Sequence, residues 1–362
     1  MKCSLKDGLA WHLIIPGFTL IELLKKNYNL IEGAPEEWEV KAGSLSVRGE
    51  VITSDFLNEH VLGVFFYHKN QPEEKVEHLQ RIYSYIQNNF QDLRLLNNPY
   101  KSKLFSSKIE FSRHVSQLPN AKTLLPEWEP LETEEDLDAA IDSFGFPFLI
   151  KPDSLSSGKG IIKIEDRATA IKVLRDSSNG IYHKNKLTKL RQLAKKLVSR
   201  ETKLKTTNSP VKLLINEFID TYHKDYKCYV NANIYYWMGD LLYADARVSH
   251  KGFNIHAGDS TNESLTSEQY SKIITQVFRL VKKDSSKIKE MVDSLDQYLI
   301  RVDCLINLES ELIKVAEVNI KGGPGEFSRD KILPVMKEAG WDENKVQGYL
   351  DGKPCRIDRL FQ

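Results

Sequence analysis

Residues 298–329, YLIRVDCLINLESELIKVAEVNIKGGPGEFSR, restrict the chain most. Residues 299–306 are apolar and β-branched, 307–310 carry turn chemistry, and 312–320 form a second apolar run, so the stretch predicts a β-hairpin. With the turn centred near Ser310, Asp303 lies opposite Glu317 and Arg301 opposite Asn319. Strand side chains alternate faces, repeating about every 7 Å for two residues, so these four share one face. Ile300, Val302, Cys304, Ala316 and Val318 are expected on the other, against a core.

Two carboxylates directly across a strand pair repel each other unless a cation lies between them. Asp303, Glu317 and the amide oxygen of Asn319 make an all-oxygen ligand set of the kind that suits Mg²⁺. The same residues also read as a solvated hairpin face closed by a salt bridge from Arg301. The following 321–325, Lys-Gly-Gly-Pro-Gly, favours the ligand: its glycines admit close backbone approach and leave N–H groups for an anion.

A length of 362 residues allows two or three domains. A formal charge of +1 exerts no global pull on nucleic acid, and 41% hydrophobic content is ordinary for a globular protein. Cys3, Cys228, Cys304 and Cys355 show no paired metal spacing, which suggests free thiols in a reducing compartment. The apolar start at 9–20 is interrupted by His12 and Pro16 and is too short to span a bilayer, so a soluble, cytoplasmic protein is expected.

Along the chain, strands are expected at 51–53 and 61–67 and a helix at 77–90, a small α/β unit ending near 97–100. Helices follow at 105–117 and 132–144, a strand at 146–152, a loop at 153–160, a strand at 161–164 and a helix at 168–175. Residues 181–212 hold ten Lys or Arg against one acid, Glu201, and read as a solvated helical insertion or as an electropositive lid. Strands at 211–218, 226–236 and 240–248 and a helix at 267–283 lead back to the hairpin.

Three further segments carry chemistry. Lys151 ends a buried apolar strand and precedes the hydroxyl- and glycine-rich loop 154–160, an arrangement suited to gripping phosphates. It is neither a Walker A loop, since Asp153 and Gly160 occupy diagnostic positions, nor a dinucleotide fingerprint, and no kinase D-F-G or H-R-D set follows. Residues 214–220 look like an edge strand turning into a linker, where Glu217 could accept from an adenine amine; a plain interdomain strand reads equally well. Asp225 and Lys227 are expected on one face at the start of the next strand, and 247–259 gathers Arg247, His250, Asn254, His256 and glycines. No nucleophile elbow accompanies them, and the histidines lack zinc spacing.

In this order the pieces resemble the ATP-grasp superfamily over roughly 105–330. Within it, Asp225-Tyr226-Lys227, Arg247 and 253–258 are similar to the branch of ribosomal protein glutamate ligase and glutathione synthetase, with Lys227 where Arg is usual and Asp259 where a second Gly is common. The resemblance implies an α+β ATP-grasp fold: two subdomains clasping ATP, at 101–215 with the basic insertion and at 216–341, between a small α/β domain at 1–100 and a tail at 342–362. It implies Lys108, Lys151, Ser157, Gly158 and Lys159 on the nucleotide phosphates, Glu217, Phe218 and Ile219 on adenine, and Asp225 on the ribose. Asp303, Glu317 and Asn319 would hold Mg²⁺, two ions, with Mn²⁺ as a substitute; Arg247 and Arg301 would be catalytic, and Lys227, Asn254, His256, Gly323 and Gly325 would meet substrate.

The activity implied is ATP-dependent joining of a carboxylate to an amine through an acyl phosphate, with amino acids or peptides as substrates and neither nucleic acid nor membrane as partner. A kinase acting on a hydroxyl of a small anionic substrate is the alternative. A homodimer is left open.

Overall fold

The computed structural model describes residues 10–14, 29–32, 35–41, 43–53, 61–66, 72–90, 94–154, 160–178, 211–237, 239–250, 252–253, 265–297 and 299–320. The basic stretch 181–210, the loop 155–159, residues 254–264 and everything after 320 lie outside them. Expectations for Ser157, Gly158, Lys159, Asn254, His256, Gly323 and Gly325 therefore have no structural counterpart here.

The first sheet is parallel, in the order β2 (Asn29–Glu32), β1 (Ala10–Ile14), β6 (Val61–Phe66) and β7 (Arg94–Leu96). A small antiparallel sheet of β3 (Trp38–Lys41), β4 (Ser44–Val47) and β5 (Glu50–Ile52) adjoins it. Helix α1 (Glu73–Asn89) buries Leu79, Ile82 and Ile86, a spacing of three and four that keeps one face on the core with Trp38, Leu45 and Phe66.

The segment expected as one helix over 105–117 is two, α2 (Lys103–Ser106) and α3 (Lys108–Val115). Ser107 breaks them because it adopts an extended conformation and its hydroxyl caps α3, accepting from Glu110 N. After the short α4 (Ala121–Leu124) comes β8 (Trp128–Leu131), a strand missing from the sequence reading; its Pro130 is tolerated because β8 is an edge strand. Helix α5 (Glu134–Phe144) starts at a Thr133/Asp136 capping box and stops at Gly145, whose φ of 65° favours glycine.

Strands β10 (Ile162–Ile164), β9 (Phe148–Pro152), β11 (Leu213–Glu217) and β8 form an antiparallel sheet in that order. Helix α5 and α6 (Arg167–Ser178) cover it, burying Leu137, Ala140, Ala170 and Val173 on Phe148, Ile150 and Ile215.

The last sheet runs β12 (Tyr222–His223), β13 (Cys228–Trp237), β15 (Leu299–Asn307) and β16 (Leu312–Asn319), with β14 (Asp240–Ser249) on β13. Its core face is Cys228, Val230, Ala232, Ile234, Val302 and Cys304. Helix α7 (Ser267–Lys283), capped by Thr266 and Gln269, and α8 (Ser285–Ser294) pack there through Ile273, Val277, Phe278, Val281, Ile288 and Val292. Each such side chain contributes about 1.5–3 kcal/mol by leaving water.

One expectation on this sheet needs correction. A bulge between Asp303 and Cys304 shifts the register, so Val315, not Ala316, pairs with Cys304 and fills the core, while Ala316 is only half-buried.

Among the described residues no helix is long and apolar enough to cross a membrane.

Candidate functional site

The hairpin has the expected register: Asp303 pairs with Glu317 and Arg301 with Asn319. Arg301 grips Asp303 bidentately, Nε to Oδ1 at 2.6 Å and Nη2 to Oδ2 at 2.7 Å. The Asn319 amide bridges both carboxylates, with Nδ2 3.1 Å from Asp303 Oδ2 and 3.1 Å from Glu317 Oε1. Burial pushes the Asp303 carboxyl up to about 6 against the pull of Arg301, and the nearby Glu317 adds to the rise.

Strand β13 contributes a residue that sequence reasoning missed. Asn233 pairs with Asp303 across β13 and β15 and is 3% exposed. With the amide turned so that both neighbours are satisfied, its nitrogen donates to Asp303 Oδ1 at 3.0 Å and its oxygen accepts from Arg247 Nε and Nη2 at 2.8 Å each. A chain of contacts thus runs across four strands, from Arg247 on β14 through Asn233 and Asp303 to the Glu317/Asn319 end of β16. The available signal was the alternation in 228–237, which sets Asn231 and Asn233 opposite the core positions Ala232 and Ile234.

From the other antiparallel sheet, β9 delivers Lys151, 6% exposed. Burial and the neighbouring Lys108 lower its pKa to about 8, while Glu317 acts against that fall. The Lys108 ammonium is lowered too, by burial, with Glu317 and Asp153 opposing. Both lysines thus lie within electrostatic reach of the hairpin carboxylate, although about 166 residues (317 − 151) separate Lys151 from Glu317 in sequence.

Asp153 sets Lys108 in place. Its Oδ1 accepts from Ser107 Oγ at 2.8 Å and Ile109 N at 2.9 Å, and its carbonyl accepts from Lys108 Nζ at 3.2 Å. The strand that carries Lys151 is therefore tied directly to the start of the helix that carries Lys108.

Other expected residues fall less simply. Glu217 ends β11, and its Oε2 accepts from Glu127 N at 3.1 Å, so this oxygen already has a partner within the chain. Ile219 is buried, and Phe218 meets Phe253 edge-on with centroids 5.5 Å apart. Lys163 Nζ stands 4.7 Å above the Phe218 ring, a cation–π contact the sequence reading had not linked. Asp225 and Lys227 do not share a strand face: residues 224–227 form a turn before β13, with Lys227 at φ 49° and both side chains exposed. The Lys227 carbonyl lies 2.8 Å from His250 Nδ1.

The donor set fits a hard cation. Asp303 and Glu317 present carboxylates toward one another, and rotation of the Asn319 amide would bring its oxygen to the same place. No three His, Cys, Asp or Glu side chains gather as a metal cluster among the described residues, so the third donor here is an amide. Cys228 and Cys304 are free and buried in the core, and burial raises both thiols.

Residues 97–225 match the family described as YheC/D-like ATP-grasp. No curated protein matches the chain.

Solved structures similar to it include a RimK-domain ATP-grasp protein from Sphaerobacter thermophilus, at 13% identity and TM-score 0.46, covering 94% of this chain and all of that one. A D-alanine–D-alanine ligase from Bacillus anthracis, complexed with ATP, shows 13% identity and TM-score 0.46 over 98% of this chain and 100% of the ligase. N5-carboxyaminoimidazole synthetase from Staphylococcus aureus, complexed with ADP, shows 12% identity and TM-score 0.46 over 88% and 72% of the two chains. Residues 97–225 are thus similar to a YheC/D-like ATP-grasp domain.

Proposed function

We propose that the chain is an ATP-dependent ligase that converts a substrate carboxylate to an acyl phosphate and joins it to an amine, with amino acids or peptides as substrates. The observation that carries this is the convergence on Glu317: buried Lys151 on β9 and partly buried Lys108 at the start of α3 both feel that carboxylate's charge, and Arg247 is linked to the neighbouring Asp303 through Asn233.

Lys108 and Lys151 grip the phosphates of ATP, and their partly desolvated ammonium groups interact more strongly with anions than exposed ones would. Asp303, Glu317 and Asn319 would hold Mg²⁺, which when bound supplies neutralisation of phosphate charge. The substrate carboxylate oxygen attacks the γ-phosphorus in line, and the bond to ADP breaks. Arg247 and Arg301 orient and stabilise the anionic acyl phosphate. The amine nitrogen then attacks the carbonyl carbon, the carbon–oxygen bond breaks, phosphate leaves with the electron pair, and the nitrogen sheds a proton.

The reading is tested by following ADP and inorganic phosphate with Mg²⁺ and amino acids supplied singly and in pairs. ADP with free phosphate, formed only when an acid and an amine are both present, is the expected result. ADP without free phosphate, with the label carried onto a polyol or sugar phosphate, would replace ligation with phosphorylation of a hydroxyl.

A further inference from the structure

Asn233 occupies a position that few side chains could fill. It is buried between a guanidinium on β14 and a carboxylate on β15, and those two neighbours assign its amide orientation: nitrogen donating to Asp303, oxygen accepting from both Nε and Nη2 of Arg247. Arg offers only donors and ionised Asp only acceptors, while a primary amide carries one of each kind at the ends of a short rigid plane. Leucine has similar size but neither function, and glutamine places the same amide one methylene further out.

We infer that Asn233 is a positioning residue that fixes the Arg247 guanidinium relative to the Asp303/Glu317 pair, so that the arginine and the metal-binding carboxylates keep a single mutual orientation. The inference rests on the ligase reading of the site and adds a residue to it. Two bonds to adjacent nitrogens fix the plane of the guanidinium as well as its position, which a single contact would leave free to rotate. The third bond joins that plane to Asp303, whose orientation is already set by the bidentate grip of Arg301 at 2.6 and 2.7 Å. A rigid arginine matters most when charge develops on the transferred phosphoryl group, since stabilisation then costs no reorganisation. Loss of Asn233 should accordingly lower kcat and leave nucleotide binding, which depends on Lys108 and Lys151, nearly intact.

The test uses the full chain with Asn233→Ala, Arg247→Lys and the double variant, assayed for ADP release with saturating substrates. Asn233→Ala leaves space for water to satisfy both charged neighbours. The expected result is a fall in kcat of about 30- to 300-fold with KM for ATP changed less than about threefold. Arg247→Lys keeps the charge but cannot make the paired bonds, and it should fall to a similar level. The double variant should be no slower than either single one, because both remove the same orientation.

Multiplicative effects, or a kcat for Asn233→Ala within threefold of the parent, would overturn the inference. If Asn233→Ala loses its cooperative melt, Arg247→Lys decides alone: parental kcat in that variant overturns the inference. A parent protein that turns over no ATP would instead defeat the ligase reading, so the two failures are separable.

Discussion

Lys151 shows how one residue's environment becomes a measurable pH dependence. Its pKa falls from an ordinary lysine value to about 8, chiefly through burial and then through Lys108. Between pH 8 and the unfolded value near 10.5 the unfolded chain binds the extra proton, so stability rises with pH across that window. Nucleotide affinity runs the opposite way, because phosphates bind the charged form. Affinity should be level below pH 8 and fall above it by up to about tenfold per pH unit. Titration of an ATP analogue from pH 7 to 9.5 checks this, and Lys151→Met should bind more weakly with a flattened profile. At the hairpin, Glu317→Gln removes the carboxylate that draws both lysines. ATP turnover should drop by at least about 10²–10³-fold while the far-ultraviolet circular dichroism spectrum is kept. Undiminished turnover would remove Glu317 from the site. Asp303 and Glu317 were legible from hairpin period alone, since strand alternation and one turn suffice to place them face to face.

At the scale of elements, the junction of β9 with α3 is the sensitive point. Asp153 holds Ser107 Oγ and Ile109 N, and so sets where α3 begins and where Lys108 emerges. Asp153→Ala should cost about 1–3 kcal/mol in urea denaturation, because donors at a helix start lose their acceptor. It should also raise KM for ATP, while Asp153→Asn, which keeps an acceptor oxygen, should lose less of both. In sequence this aspartate was only the residue that spoils a Walker A pattern. The helices expected at 132–144 and 267–283 were easier, because their periodicity is local; the structure adds the capping boxes Thr133/Asp136 and Thr266/Gln269 that start them. The bulge that moved Ala316 off the core face left no such local sign: an extra residue in a strand changes register without changing composition.

At the scale of the whole molecule, the site is assembled from two sheets, and ATP should therefore stabilise the chain only when both contribute. At 100 times its dissociation constant, an ATP analogue with Mg²⁺ should add about 2.7 kcal/mol to unfolding free energy. Thermal melts should show that shift in the parent, and its loss in Lys108→Met/Lys151→Met or in Glu317→Gln would tie both sheets to one ligand. A full shift in either variant would separate the sheets functionally. The joint near 97–100 is packed as well: Asn97 is fully buried, and Asn98 bonds Asp296 at 2.9 Å and accepts from Gln297 at 3.0 Å. The sequence by itself determined the hairpin and its four polar residues, the lysine at the end of a buried strand, and the periodic helices near 132–144 and 267–283. These depend on periodicity and neighbours within a few residues. Only the tertiary structure decided that Asn233 joins Arg247 to Asp303, that Asp153 seats Lys108, and that Glu317 comes within electrostatic reach of Lys151. Each of these pairings forms between segments brought together by strand order and core packing, which no local pattern encodes.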